Sequence, residues 1–327
     1  MGWWQVGADT LAGSRFVLSP LAEAIGSLKT LERGTAAHPG ERGWLDAHLP
    51  AYRRRLAGDP VTALLVRAAL GRTWNATFLT PTPSGEHRDF AAESARIRRT
   101  PPARARADLT VSLGGPLPGR LHRDDLPART ADLLEWVWTR AVLPEWPRRC
   151  RVLEADVVAR TARWSRHGWA AALDGMRPGM RWLGEGRLQI TVSDAPAREL
   201  RGARLLFVPV TSGQSWVSWD TRRYAVVYPC AGALADAGRP ASVPEALGGL
   251  LGPARAAVLV LLGSPKSTTH LVALTGQGLG SVGRHLRVLL DARLVGRRRA
   301  GRSVLYFRTA VGEALVTAQG EETRIVN

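Results

Sequence analysis

At 327 residues the chain is long enough to bury a sizeable core and to divide into two or three domains. Its net charge of +17 calls for an acidic partner, nucleic acid or an anionic surface. The two cysteines, Cys150 and Cys230, lie far apart with no C-x-x-C and no neighbouring histidine, which excludes a disulfide scaffold and a cysteine zinc site.

Only Lys29 and Lys266 are lysine, an imbalance that looks like the codon bias of a GC-rich genome. The position of the charge must therefore decide its meaning. The start, MGWWQVGADT, has no basic or apolar signal region, and Val6 stands where myristoylation of Gly2 would need Ser or Thr. The longest apolar run, near Ala256–Leu262, is too short to span a bilayer. A soluble, cytoplasmic protein with no membrane partner is expected.

From about Phe16 to Leu126 the pattern is mainly helical, with breaks at Pro and Gly clusters. Leu56–Leu70 has apolar side chains at helical spacing, FLTPTPSGEH is a loop, and RIRRTPPARARADL carries its arginines around a Pro-Pro break as a solvated face. ADLLEWVWTRAVLPEW reads as one amphipathic helix. RVLEADVVARTARWSRHGWAAALDGM reads as one long helix or two broken at Gly168. The period then changes to two: MRWLGEGRLQITV suggests a hairpin across Gly184–Gly186, and RLLFVPV and RYAVVYP read as buried strands.

Ala231–Ser242, rich in Ala, Gly and Pro, reads as a linker. Ser242-Val243-Pro244-Glu245 then gives a capping box, with Pro near a helix start. All twelve tryptophans precede this boundary. The expected fold is α+β: residues 1–239 form a mainly helical regulatory or dimerisation region with a small sheet, divisible into 1–127 and 128–239. Residues 240–327 form a separate module.

In that module the order is two short helices, a helix over Thr268–Leu274, a turn, a helix over Leu279–Asp291, a basic hairpin and a last short helix. This is the pattern of a winged helix-turn-helix. Gly278–Gly283 also spells G-x-G-x-x-G. A dinucleotide loop, however, needs a preceding strand and an acidic residue about 20 residues on. The preceding TTHLVALT is helical and Arg297–Arg299 lie downstream, so no nucleotide cofactor is expected.

At about 100° per residue, Val282, Leu286 and Leu289 share the core side, while Ser281, Arg284, Arg287 and Val288 lie opposite, flanked by His285. Arg can bond guanine bidentately, Ser and His can reach base edges or phosphate, and Val can pack on a thymine methyl. The N–H groups near Gly278–Ser281, Gly280 included, can accept a phosphate. Nine basic residues and one acidic residue lie between Ser264 and Arg308, a net +8 in 45 residues. Lys266, Arg297, Arg298 and Arg299 are the further candidates for the DNA backbone.

STTHLVALTGQGLGSVGRHLRVLLDARLVGRRRAGRSVLYF closely resembles the ArsR-type winged-helix repressors of bacteria, above all in R-H-L-R-V-L followed by G-R-x-x-x-Y. The resemblance covers about 75 residues and implies a dimeric repressor on double-stranded DNA, associated with the nucleoid. It places Thr268 and Thr269 near phosphate, Ser281, Arg284 and His285 on the reading helix, and Arg302 at the wing tip. Gly283 departs from the usual Ser or Thr, Thr275 and Gln277 replace apolar turn residues, and the cysteine pair of metal-sensing members is missing. No metal is expected.

The preceding chain, with RFVLSPLAEAIGSLKTL near its start and ARIRRTPPARARADL later, resembles an uncharacterised domain found ahead of such winged helices in actinobacterial regulators, which brings no chemistry with it. There is no G-x-S-x-G, P-loop or H-E-x-x-H, so an enzyme is not expected. The tryptophans read either as core or as the lining of a pocket for a small apolar effector. The alternative function is a non-specific architectural DNA binder.

Overall fold

The computed structural model describes residues 2–37, 39–71, 74–84, 89–173, 176–191, 196–230, 243–263, 265–275, 277–300 and 303–318. The fold mixes helices with small sheets. The chain opens with β1 (Gly2–Gln5), α1 (Ala8–Ala12) and β2 (Arg15–Phe16). Helices α2 (Pro20–Arg33), α3 (Pro39–Ala57), α4 (Pro60–Ala69), α5 (Phe90–Arg98), α6 (Pro102–Leu113) and α7 (Leu126–Val137) follow.

Their ends obey local chemistry. The Ser19, Asp59 and Asp89 side chains accept from N–H groups in the first turns of α2, α4 and α5, and Pro20 and Pro60 open their helices. Gly34 and Gly114 close α2 and α6 in the left-handed region that favours glycine. The Pro-Pro break falls between α5 and α6 as expected. Three of its five arginines are ion-paired, Arg98 with Asp132, Arg104 with Asp108 and Arg106 with Asp124.

The single helix expected over Ala131–Trp146 is not formed. α7 ends at Val137 and widens into a π-turn at Trp138–Val142. Pro144 has no N–H to continue the ladder and its ring crowds the preceding turn. Then comes α8 (Trp146–Leu173), broken at Gly168, where φ is 76° and ψ −178°. Arg160 spans the break: Nη1 donates to the Ala172 carbonyl at 3.1 Å and Nε to Asp156 at 3.1 Å.

The remaining strands of this region are β3 (Arg181–Trp182), β4 (Arg187–Thr191), β5 (Arg198–Glu199), β6 (Arg204–Val210), β7 (Trp216–Trp219) and β8 (Arg223–Pro229). The β3–β4 hairpin forms as expected. Two four-stranded sheets result, ordered β3-β4-β1-β5 and β2-β6-β8-β7. In the second sheet β8 lies between parallel β6 and antiparallel β7. Leu206, Val208, Val210, Ala225 and Val227 pack into the helical core, whereas Leu205, Phe207, Val226 and Tyr228 pack into a second core with Trp4, Leu188 and Ile190. A sheet buried on both faces has to read as a continuous apolar run, and RLLFVPV does.

The division at 127/128 therefore marks no boundary in packing. β1, from the extreme N-terminus, pairs with β4 and β5, and the helical core includes residues of β6 and β8.

Two buried acids fasten α2, Glu23 to the end of β6 and Glu93 to α5. Glu23 on α2 is fully buried and accepts from Arg149 Nη1 at 2.7 Å, from the Thr211 amide at 2.8 Å and from the Thr211 hydroxyl. Glu93 on α5 accepts from Ser19 Oγ and the Leu21 amide, both at 2.9 Å. Burial pushes the Glu93 carboxyl up from 4.5 to about 7, against the pull of those two donors. The native state then holds a proton that the unfolded chain releases between pH 4.5 and 7, so stability falls as pH rises through that window. The loss reaches about 3 kcal/mol. Glu93→Gln, whose amide oxygen can accept from both donors, is expected to flatten this slope by about one proton in urea denaturation across pH 4.5–7.5. An unchanged slope would assign the dependence elsewhere.

The C-terminal segment holds α9 (Glu245–Leu251), α10 (Pro253–Leu261), β9 (Lys266–Ser267), α11 (Thr268–Thr275), α12 (Leu279–Asp291), β10 (Val295–Ala300), β11 (Ser303–Arg308) and α13 (Ala310–Ala318). Its sheet is ordered β10-β11-β9, and its apolar core is its own, around Leu259, Leu271, Val282, Leu286, Leu289 and Val295. The expected linker at 231–242 lies outside the described residues. α9 starts at Glu245 with Pro244 as its cap residue, and Ser242, the first residue of the expected capping box, lies outside the described residues. Among the described residues, no helix is long and apolar enough to cross a membrane.

Candidate nucleic-acid interface

The helix α12 is strongly amphipathic. Val282, Leu286 and Leu289 are buried, and Gly280, Gly283, Arg284, Arg287 and Val288 are exposed. Gly278 precedes it without a side-chain cap, and its carbonyl accepts the Ser281 and Val282 amides at 3.0 and 3.1 Å. The amides of Leu279 and Gly280 come before these first bonds, at the positive end of the helix dipole. A Cβ at Gly278, Gly280 or Gly283 would meet nothing within 4 Å. No packing demand puts glycine there, and the helix face they leave is bare backbone.

Ser281 and His285 are half-buried on α12 and bonded to each other. Ser281 Oγ donates to Gln277 Oε1 at 3.0 Å and lies 3.3 Å from His285 Nε2. With the hydroxyl proton used on Gln277, His285 must donate from Nε2. Its pKa is lowered by burial first, then by Arg255 and Arg284, which fits a neutral ring with one N–H. The pair therefore forms a closed chain along the helix, Gln277–Ser281–His285.

Lys266 is placed otherwise than expected. It is buried in β9 and Nζ donates to the Leu261 carbonyl at 2.6 Å. Arg308 does the same from β11, with Nε on the Leu259 carbonyl at 2.9 Å and Nη2 on that of Val260 at 2.5 Å. The Leu259 and Val260 carbonyls also accept the Leu262 and Gly263 amides at 3.2 Å in the closing turn, and the two cations add further bonds at this negative end of the helix. These charges hold α10 to the small sheet and leave the outer surface to the other arginines.

In the hairpin, Arg297 and Arg299 are exposed on one face, paired across to Tyr306 and Val304. Arg298 lies on the other face, its guanidinium 5.9 Å from the centre of the Phe307 ring and partly enclosed. Strand alternation makes this separation unavoidable, so the three arginines cannot act as one patch. Thr268 is half-buried at the start of α11. The Thr269 side chain and Arg302 lie outside the described residues.

Arg255 on α10 was not among the sequence candidates. It donates to the Leu251 carbonyl at 3.1 Å and lies close enough to His285 to lower its pKa. It is the one charge in PARAAVLVL, and that isolation is the signal that marks it. Together α12 and the hairpin present Arg284, Arg287, Arg297 and Arg299 outward. Such a surface can take up phosphate charge and can bond base edges, with the bare glycine face allowing close approach. In comparison with known proteins, no family model, curated protein or solved structure matches the chain.

Proposed function

We propose that this protein is a sequence-specific DNA-binding transcriptional regulator whose C-terminal segment, residues 240–327, acts as a winged helix-turn-helix. α12 enters the major groove and the β10–β11 hairpin lies along the neighbouring backbone. The observation that carries this reading is the division of α12, with one apolar side in the segment's core and Arg284, Arg287 and Val288 exposed on the other. The resemblance to ArsR-type repressors points the same way and suggests a repressor working in the cytoplasm on the nucleoid.

A single reading helix covers one short half-site, so specific binding calls for two copies. Leu250 on α9 is 69% exposed and Val311 on α13 is 61% exposed, which gives the flanking helices apolar surface for a homodimer. The architectural reading has one observation in its favour: the Ser281 hydroxyl and His285 are bonded to each other, which leaves fewer groups free for bases.

Selection of bound duplexes from a random pool by the full-length chain tests both. An imperfect inverted repeat is expected, with half-sites about 10 base pairs apart centre to centre, or a multiple of that. Sedimentation should show a dimer. Replacing Arg297 and Arg299 with Gln should flatten the log–log salt dependence by roughly two units. Binding without any enriched sequence would favour the architectural reading. An unchanged salt slope would remove the hairpin from the DNA.

A further inference from the structure

Trp3, Trp4, Trp74, Trp216 and Trp219 line one cleft of about 1040 Å³, where α2, the loop after α4, strands β1, β4 and β5 and the edge strand β7 meet. That size suits a ligand at the upper end of the small-molecule range. Trp74 and Trp219 stand with ring centres 4.9 Å apart, and the Arg198 guanidinium sits 4.2 Å from the Trp219 ring centre. This is the aromatic wall that an apolar effector would need.

The rest of the cleft is not apolar. Lys29, Arg33, Arg177 and Arg198 line it, with Glu32 the only acid among the described lining residues. Glu32 is already taken: it accepts from the Tyr52 hydroxyl at 2.7 Å and lies 4.0 Å from Arg67. Lys29 Nζ has a weak bond to Asn75 Oδ1 at 3.3 Å and sits 5.3 Å from the Trp216 ring centre. Among the described residues, Nε and Nη1 of Arg177 are shut off from solvent with no hydrogen-bond partner. Burial, followed by the charges of Arg33 and Arg177, depresses the Lys29 ammonium to about 8. Burying like charges together without a counter-ion is costly, and an anion from outside would relieve it.

We infer that this cleft binds a small organic anion with a flat aromatic body, its carboxylate or phosphate held by Arg177 and Lys29 and its ring against Trp74 and Trp219. The planar guanidinium offers paired donors that match either head group. A neutral ring would leave Arg177 unpaired, and an inorganic anion would leave the tryptophans wet. The apolar effector expected from the tryptophans alone is thereby revised to an amphipathic acid. This inference does not rest on the DNA-binding reading, and its test contains no DNA.

Calorimetric titration of the full-length protein with 1-naphthoate, 1-naphthyl phosphate, 1-naphthalenemethanol and inorganic phosphate tests it. One or both naphthyl anions should bind, one per chain, with Kd below about 1 mM. Their ranking identifies the head group. The neutral alcohol should bind at least roughly tenfold more weakly, and Arg177→Gln should weaken the anions by a similar factor while leaving the alcohol unchanged. Trp219→Leu should weaken both. Because Nε and Nη1 of Arg177 have no partner among the described residues, Arg177→Gln should keep or raise the unfolding temperature without ligand. The proposal fails if the anions bind no better than the alcohol, if Arg177→Gln leaves their affinity unchanged, or if that variant unfolds at clearly lower temperature. Inorganic phosphate binding as tightly as naphthyl phosphate would overturn the aromatic part.

Discussion

Arg149→Met is expected to lower the unfolding free energy by about 3–5 kcal/mol, the largest single effect of any substitution considered. Arg149 and Glu23 have 5% and 0% of their side chains exposed, so removing the guanidinium strands a carboxylate that solvent cannot reach. Arg149 also donates to Ser27 and Thr211, each at 3.2 Å, and to Glu145. One side chain at the head of α8 thus fastens α2 and the end of β6. Adding Glu23→Gln to Arg149→Met should recover a large part of the loss, since the uncompensated charge is then gone. By contrast, losing Arg187 from its exposed pair with Glu185 should change stability by less than about 1 kcal/mol. Guanidinium denaturation of the three variants checks this. A loss under about 1 kcal/mol for Arg149→Met would mean that the Thr211 amide and hydroxyl already satisfy Glu23.

The second large effect concerns α12, the proposed reading helix. Arg284→Ala is expected to cost about 1–3 kcal/mol on the selected DNA site and to relax the preference at one base position. Arg284 is exposed, and the bare Gly280 and Gly283 lie one turn or less away, so its guanidinium can approach a base edge closely. Arg287→Ala, one turn further along α12, serves as the comparison. If Arg284→Ala weakens random and selected DNA equally, Arg284 touches only phosphate. If neither substitution changes any affinity, α12 is not the reading helix.

The local elements were legible in the sequence. α12 spans Leu279–Asp291 as its apolar spacing predicts, the hairpin of Val295–Ala300 with Ser303–Arg308 follows its turn signal, and the Gly168 break and the β3–β4 hairpin fall where glycine places them. Each depends on residues within a turn or two of one another, so backbone propensity and periodicity suffice. The outward position of Arg284 and Arg287 was readable for the same reason.

What escaped the sequence depended on partners far along the chain. GWWQ carries no sign that it will sit in a sheet with residues 187–199, because strand pairing is chosen by what the partner edge offers. Lys266 looked like a phosphate ligand until the Leu261 carbonyl at the end of α10 came within its reach. Arg298 shared a basic run with its neighbours, but the pleat turned it to the opposite face. The tryptophans announced an aromatic wall, whereas Lys29 and Arg177, 148 positions apart, become neighbours only when α2 meets the chain leaving α8. The sequence by itself determined the helices, the hairpins and the outer face of α12, all set by local stereochemistry. The tertiary structure alone decided which charges are consumed inside the fold and which remain for a ligand, since burial and pairing depend on what distant segments bring alongside.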